Sequence, residues 1–346
     1  MIERFQSFYK KAGLPRIIIA VFFFILTVTS SIIGIPFGGL MTDVIVRVAM
    51  NVVLVLAMVP GILSGIGPNF GLPLGILAGL LGAIISIEME LVGRSAFIGA
   101  ILMAIPLAAI VGWGYGWLLN KVKGSEMMVA TYVGFSAVSL MSIGWMVLPI
   151  KNPEMAWAMG KGIRTTISLE GRFRHLLNNL WHFNIGAFRV PTGLILFGLL
   201  MCFIMWLVLR SKTGIAMKTV GDNPKFAVAS GLNVDKYRII GTILSSILGA
   251  IGIIVYAQSF GFLQLYQAPM FMGFHAVAAV LIGGANVRNA TITHVLIGTF
   301  LFQGLLVVAL PVANNLLEQG SLAEITRMLV SNGIILYALT QVVGGE

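Results

Sequence analysis

Apolar runs of membrane-crossing length alternate with short polar stretches along almost the whole chain. Read in order they predict ten helices: Arg16–Pro36, Thr42–Ile62, Leu72–Ile87, Ala96–Leu119, Met127–Leu148, Val190–Leu209, Ile239–Ala257, Phe271–Ile282, Thr291–Ala309 and Glu324–Val343. An α-helix needs about 20 apolar residues to cross a bilayer. The third and eighth runs are short and read as broken or re-entrant segments. Small residues recur every four positions within several runs: Ala100, Ala104, Ala108, Gly112 and Gly116; Gly71, Gly75, Gly79 and Ala83; Gly241, Ser245 and Gly249. Such stripes let helix backbones approach closely where lipid removes the hydrophobic drive for helices to associate. The pattern predicts an all-α, polytopic membrane protein of about ten transmembrane helices, organised as a single domain over residues 1–346. Cutting after the fifth span leaves two five-helix halves that start on opposite sides, as an inverted repeat requires.

Composition agrees with this class. Of the 346 residues 58% are hydrophobic and 10% charged, and the mean hydropathy is +0.98, whereas a soluble domain carries about 25% charged residues. The single cysteine, Cys202, excludes a disulfide framework, and the four histidines lack metal-ligand spacing. The net charge of +10 comes without a basic stripe interleaved with aromatics, so it reads as membrane topology and not as nucleic-acid binding. At the N-terminus, "YKKAGLPR" precedes an apolar run too long for a signal h-region, which reads as a retained first span. With the N-terminus in the cytoplasm, most Lys and Arg fall on inside segments, while the short outside loops carry Glu88, Glu90, Glu318 and Glu324. This places both termini inside.

One segment departs from the pattern. Ser211 to Arg238, "SKTGIAMKTVGDNPKFAVASGLNVDKYR", is basic and punctuated by Gly, Asn and Pro, and the span parity puts it on the cytoplasmic side. Asp222 or Asn223 can cap a helix, Pro224 suits its first turn, Ala227, Val228 and Ala229 extend it, and Gly231 stops it. Phe226, Val228 and Leu232 are too few to enter a membrane. The residues themselves allow either an interaction surface or a plain connecting loop.

"GDNPKFAVASGLNVDKYR" resembles the cytoplasmic coupling loop of ATP-binding-cassette importer permeases, in the branch serving ribose-type sugars, nucleosides and branched-chain amino acids. That pattern runs approximately G-x-N-x-x-A-A-x-x-x-G-I-x-V. Gly221, Asn223, Gly231 and Val234 match it, Leu232 replaces Ile, and Phe226-Ala227 stands where the paired alanines would be. "HAVAAVLIGGANV", His275 to Val287, resembles a second family signature. The Gly-rich turn after the second span, "SGIGPNFGLPLG", lacks the family's acidic residue. The resemblance implies that 211–238 docks a separate ATPase subunit through Gly221, Asp222, Asn223, Lys225, Phe226, Ala227, Val228, Gly231 and Leu232. It further implies a second permease subunit and an extracytoplasmic substrate-binding protein, in a bacterial inner membrane. The chain has no G-x-x-x-x-G-K-[ST] phosphate loop, so ATP and Mg are expected on the ATPase, with no cofactor on this chain.

Two Gly-rich breaks, Ser64 to Gly75 and Ile282 to His294, are expected at membrane depth, where transporters expose backbone to solute. Asn69, Gln258, Gln264, His275 and Asn286 are the candidate path residues for a neutral, hydroxyl-rich solute such as a simple sugar or nucleoside. The competing reading is that each amide bonds a neighbouring helix. Arg47 is expected to pair with Asp43 four residues earlier. The long outer loop, 149–189, reads either as a seat for a binding protein or as an amphipathic helix at the outer interface. No catalytic triad and no cluster of titratable groups at one depth argues for an enzyme. A secondary transporter or channel is the alternative, and a branched-chain amino acid is the alternative cargo.

Overall fold

The computed structural model describes residues 14–157 and 162–317, with further helical positions at 325, 328, 329, 332, 333, 335 and 336. Most of the expected tenth span, Glu324–Val343, lies outside the described residues, as do residues 1–13. The first helices are α1 (Leu14–Ile32), α2 (Phe37–Leu56), α3 (Met58–Leu63), α4 (Leu72–Glu88), α5 (Gly93–Lys121) and α6 (Glu126–Val147). The strands β1 (Thr166–Ser168), β2 (Phe183–Ile185) and β3 (Phe188–Val190) follow, with α7 (Leu176–Asn179) between β1 and β2. Then come α8 (Thr192–Arg210), α9 (Lys212–Asp222), α10 (Pro224–Ala229), α11 (Val234–Phe260), β4 (Phe262–Gln264), α12 (Gln267–Ile282) and α13 (Ile292–Leu317).

Six helical stretches among the described residues are long and apolar enough to cross a membrane, with α2 and α3 counting as one stretch of 27 residues broken by a turn at Ala57. Three shorter apolar helices, α1, α4 and α12, stand at the expected first, third and eighth spans. The protein is an integral membrane protein. The short strands add a small β component to the all-α expectation, with Ile167 of β1 and Leu263 of β4 buried in the main core.

Packing follows the small residues. In α5 the small residues Ala96, Ala100, Ala104, Ala108, Gly112 and Gly116 are buried, together with Phe97, Tyr115 and Leu119, while Ile98, Leu102, Ile110, Trp113 and Trp117 are exposed. The stripe of small side chains faces protein, where it lets neighbouring backbones approach closely. The helices α4, α5 and α11 form the most closely packed trio. A β-carbon at Gly75 would lie 2.5 Å from the Ser246 carbonyl oxygen, and one at Gly79 would lie 2.8 Å from the Ala250 Cα. The centre is buried all round: residues 51–64 and 248–259 are buried without interruption.

The bundle has two distinct ends. One, the basic end, carries α9, α10 and the turns after α5 and α12. The other is covered by residues 149–190. Among its described residues that cover is not an amphipathic helix, because the longest helix there is α7, with four residues. It is a woven cap instead. β1 pairs antiparallel with β4 (Ile167 opposite Leu263), and β2 pairs with β3 in a hairpin. The Glu88 carboxylate accepts from Lys151 N and Asn152 N at 3.0 and 3.2 Å, and Arg172 bridges to Glu154 at 2.9 Å. Polar pairs between residues so far apart in sequence leave no periodic trace, which is why the cap was not legible as structure.

Candidate coupling site at the basic end

The basic segment folds as two helices where a single short one was expected. Ser211 caps α9, its Oγ accepting from Gly214 N at 3.2 Å, and Gly214, Ala216, Met217 and Val220 turn inward. Asn223, and not Asp222, caps α10: its Oδ1 accepts from Phe226 N at 3.0 Å. This satisfies one of the orphan donors at a helix start, and Pro224 occupies the first turn. The other end closes as a Schellman turn: Leu232 N donates to Ala227 O at 2.9 Å, with Gly231 at φ +77°. α10 therefore holds a fixed shape with only six residues.

Its faces are distinct. Ala227 is fully buried against the bundle, whereas Phe226 and Val228 are 59% and 64% exposed. Asp222, Asn223, Lys225 and Gly231 are exposed, and Gly221 and Leu232 are half-buried. Two apolar side chains held outward on a capped turn make a surface that a soluble partner could cover.

Behind α10, the chain is joined to the membrane helices by backbone contact. A β-carbon at Gly221 would collide with the Leu63 carbonyl oxygen and lie 2.9 Å from its carbon and 3.0 Å from Gly65 N. Gly65, at φ +77°, approaches Gly221 from the other side. The basic segment is thus seated directly on the end of α3 and the break that follows it.

Both Gly-rich breaks reach this end. A β-carbon at Gly67 would lie 3.3 Å from Val287 Cγ1, so the break after α3 touches the break after α12. Gly65, Gly67 and Val287 of these breaks lie at the basic end, while Asn69 of the first reaches Ser245 in the middle of α11. Between them, α10 and the start of α6 lies a cavity of about 760 Å³, lined among others by Gly65, Gly67, Met127, Asn223, Arg238 and Arg288. A charge pair that the sequence reading missed closes one wall: Arg238 Nη2 meets Glu126 Oε1 at 2.5 Å, with both side chains largely buried. Beside it Lys123 pairs with Asp235 at 2.6 Å, and Asn120 Nδ2 donates to Asp235 O at 2.9 Å. Together these tie the α5–α6 turn to the start of α11. The available signal was a charge near the start of each helix, but the partners are 112 residues apart.

The candidate path residues are spread through the depth of the bundle. Asn69 is a buried junction: Nδ2 donates to Ser245 Oγ at 2.7 Å, and Oδ1 accepts from Tyr115 Oη and Gly71 N, each at 2.9 Å. Gln258 lies 13 residues further along α11 than Ser245, about 20 Å by helix rise. It accepts from Leu177 N at 3.1 Å and donates to Asn178 Oδ1 at 3.1 Å, so it holds the cap. Gln264 lies in β4 opposite Thr166. His275 packs near Phe302, with ring centroids 5.7 Å apart. Asn286 shapes the turn after α12, accepting from Arg288 N and Asn289 N. Asp43 and Arg47, one turn apart in α2, make no direct salt bridge, although the charge of Arg47 still reaches Asp43.

A family profile described as "Branched-chain amino acid transport system / permease component" matches residues 40–339. The nucleoside ABC transporter permease protein NupC of Lactococcus lactis is 32% identical over 103 residues, 30% of this chain and 32% of that protein. The guanosine ABC transporter permease protein NupQ of Bacillus subtilis is 33% identical over 84 residues, 24% and 26% of the two chains. The autoinducer 2 import system permease protein LsrC of Photorhabdus laumondii is 25% identical over 232 residues, 64% of this chain and 66% of that protein. The matches to the two nucleoside-type relatives thus span about a third of their length or less. No solved structure matches the chain.

Proposed function

Because the chain belongs to this family of transport-system permease components, we propose that it forms the membrane path of an ATP-driven importer and is worked by a separate ATPase subunit gripping α10. One observation carries the reading. Phe226 and Val228 are held outward on a capped helical turn, and Gly221 immediately before it is packed backbone-to-backbone on Leu63 and Gly65. A force applied at the exposed pair would reach α2 and α3 directly. The coupling set is Gly221, Asp222, Asn223, Lys225, Phe226, Ala227, Val228, Gly231 and Leu232, in which Ala227 seats the helix and does not touch the partner.

The basic end is the cytoplasmic one. Arg210 lies over the Trp206 ring at 3.9 Å and Lys121 over Trp117 at 5.6 Å, the pairing of aromatic and cation expected where helices leave the membrane. Both termini are cytoplasmic, with ten crossings in two inverted halves. The cap over residues 149–189 faces outward in the bacterial inner membrane and receives a substrate-binding protein. A second permease subunit completes the path, and ATP and Mg belong to the ATPase.

The cargo is a simple sugar or nucleoside, supported by the names of the NupC and NupQ relatives. A branched-chain amino acid is a second reading, favoured by the family description. The test is reconstitution with the ATPase and binding protein, followed by uptake of labelled nucleoside, ribose and leucine with and without ATP. Flux through the chain alone, independent of ATP, would overturn the importer reading.

A further inference from the structure

The β2–β3 hairpin of the cap has two faces that differ in kind. Successive strand residues point to opposite faces, and residues directly opposite across an antiparallel pair share one. Phe183 stands opposite Val190 and Ile185 opposite Phe188, so four apolar side chains make up one face. Asn184 stands opposite Arg189 on the other. The apolar face is largely uncovered along β2, where Phe183 is 49% and Ile185 63% exposed. Trp181, just before β2, is 73% exposed and held at φ 52°, a left-handed conformation that bulky residues rarely adopt.

The surroundings of the hairpin orient it. Arg189 Nη2 donates to Asn179 Oδ1 at 2.7 Å, so the polar face is turned to the cap at the end of α7. The backbone of β3 lies against α2: Arg189 N donates to Thr42 Oγ1 at 2.9 Å, and a β-carbon at Gly38 would lie 3.0 Å from Ala187 Cβ. Gly38 and Thr42 are separated by about 6 Å of helix rise. The hairpin therefore lies beside the first turns of a spanning helix and not above them. The surface at this level already faces lipid. Ile32 at the end of α1 and Phe37 at the start of α2 are exposed, and α8, which begins two residues after β3, exposes Leu196, Leu199 and Phe203. An apolar face continuous with that surface, and turned away from the cap, is one that acyl chains cover. A protein docking on the cap from the aqueous side would meet Asn184 and Arg189 instead.

We propose that the β2–β3 hairpin is an interfacial anchor whose partner is the bilayer itself. Phe183, Ile185 and Phe188 lie at the headgroup–acyl boundary, Trp181 sits at headgroup level, and Asn184 and Arg189 stay toward water. A strand edge deep in hydrocarbon would leave backbone groups unpaired, so the hairpin rides at the boundary and does not cross. It thereby fixes the height of the cap over the bundle. The inference needs only that the bundle spans a membrane, and it stands whether or not the chain works as an importer.

The test uses the full chain carrying Cys202→Ala, in nanodiscs of phosphatidylethanolamine and phosphatidylglycerol, with Phe183→Cys, Asn184→Cys or Ile185→Cys added in turn. All three side chains are exposed, so each variant is expected to melt like the Cys202→Ala parent. A charged, membrane-impermeant maleimide reacts with the thiolate, which apolar surroundings suppress, so Phe183→Cys and Ile185→Cys should be modified about tenfold more slowly than Asn184→Cys. Nitroxide labels on the same variants tell lipid from protein. On Phe183→Cys and Ile185→Cys the label should relax more through oxygen, which concentrates among acyl chains, than through a water-soluble nickel chelate. On Asn184→Cys the order should reverse. Equal maleimide rates at the three positions overturn the proposal. So does nickel-dominated relaxation on Ile185→Cys, and shielding of that label by added substrate-binding protein would mark the face as a protein-docking surface. Weak relaxation by both reagents also overturns it, and marks cover by a second copy of the chain.

Discussion

Gly221→Ala tests the proposed transmission most directly. The added β-carbon would occupy space held by the Leu63 carbonyl oxygen, 2.9 Å from the Leu63 carbonyl carbon and 3.0 Å from Gly65 N. All three are backbone atoms, so no rotamer change relieves the collision, and either α9 and α10 or the end of α3 must move. Overpacking of this kind costs about 1–3 kcal/mol, and each 1.4 kcal/mol is about a tenfold change in an equilibrium. The exposed faces of Phe226 and Val228 lie away from the collision, so the ATPase should still bind within about twofold. The assay is paired measurement of ATP hydrolysis and solute uptake in proteoliposomes. Uptake per ATP is expected to fall about tenfold, with a lowered melting temperature in detergent. Gly231→Ala is the control. Gly231 has nothing within 4 Å but sits at φ +77°, so it loses about 1–2 kcal/mol through strain without any wedge. A Gly221→Ala protein that melts and imports like its parent would refute the backbone-contact argument.

Other outcomes follow from the same geometry. Phe226→Ala should weaken ATPase co-purification about thirtyfold, as an interface anchor does, with no change in melting temperature because the side chain is exposed. Asn223→Ala should cost about 1 kcal/mol through the lost cap, with Asn223→Ser restoring it, read by thermal unfolding. Glu126→Gln should cost about 3–5 kcal/mol by leaving Arg238 buried without its counter-charge, while Glu126→Leu with Arg238→Met should melt near the parent. In the cap, burial, then the charges of Arg174 and Arg189, hold His175 below its ordinary value of 6.5. The unfolded cap therefore binds the proton more readily, so cap stability is full above that value, falls as pH drops below it, and levels off beneath the folded value. Limited proteolysis of residues 149–189 between pH 5 and 8 reads this, and His175→Gln should flatten the profile.

The spans and the short helix α10 were legible because their causes are local. Apolar length marks a crossing, and Asn223, Pro224 and Gly231 each act on their own turn. The small-residue stripes were equally readable, since a four-residue spacing names one helix face before its neighbour is known. What was hidden depends on distant partners. Asn69 and Gln258 are amides of the same chemistry, yet one joins helices at a buried junction and the other fastens the cap. Only Ser245, Tyr115 and Asn178 distinguish them. Arg47 and Asp43 had the spacing of an ion pair, but their side chains make no direct salt bridge. Arg238 read as one more loop charge until Glu126 was found beside it.

The meeting of Gly65 with Gly221 has a mechanical consequence. A joint made through long side chains has slack, because rotamers can hop and absorb a displacement before it travels onward. Here peptide planes abut peptide planes, so a shift of a few tenths of an ångström on one side has no soft intermediary in which to be lost. The stroke at the surface and the stroke inside the bilayer are then nearly the same length, and evolution can vary the exterior of α10 to suit its partner without retuning the gearing beneath.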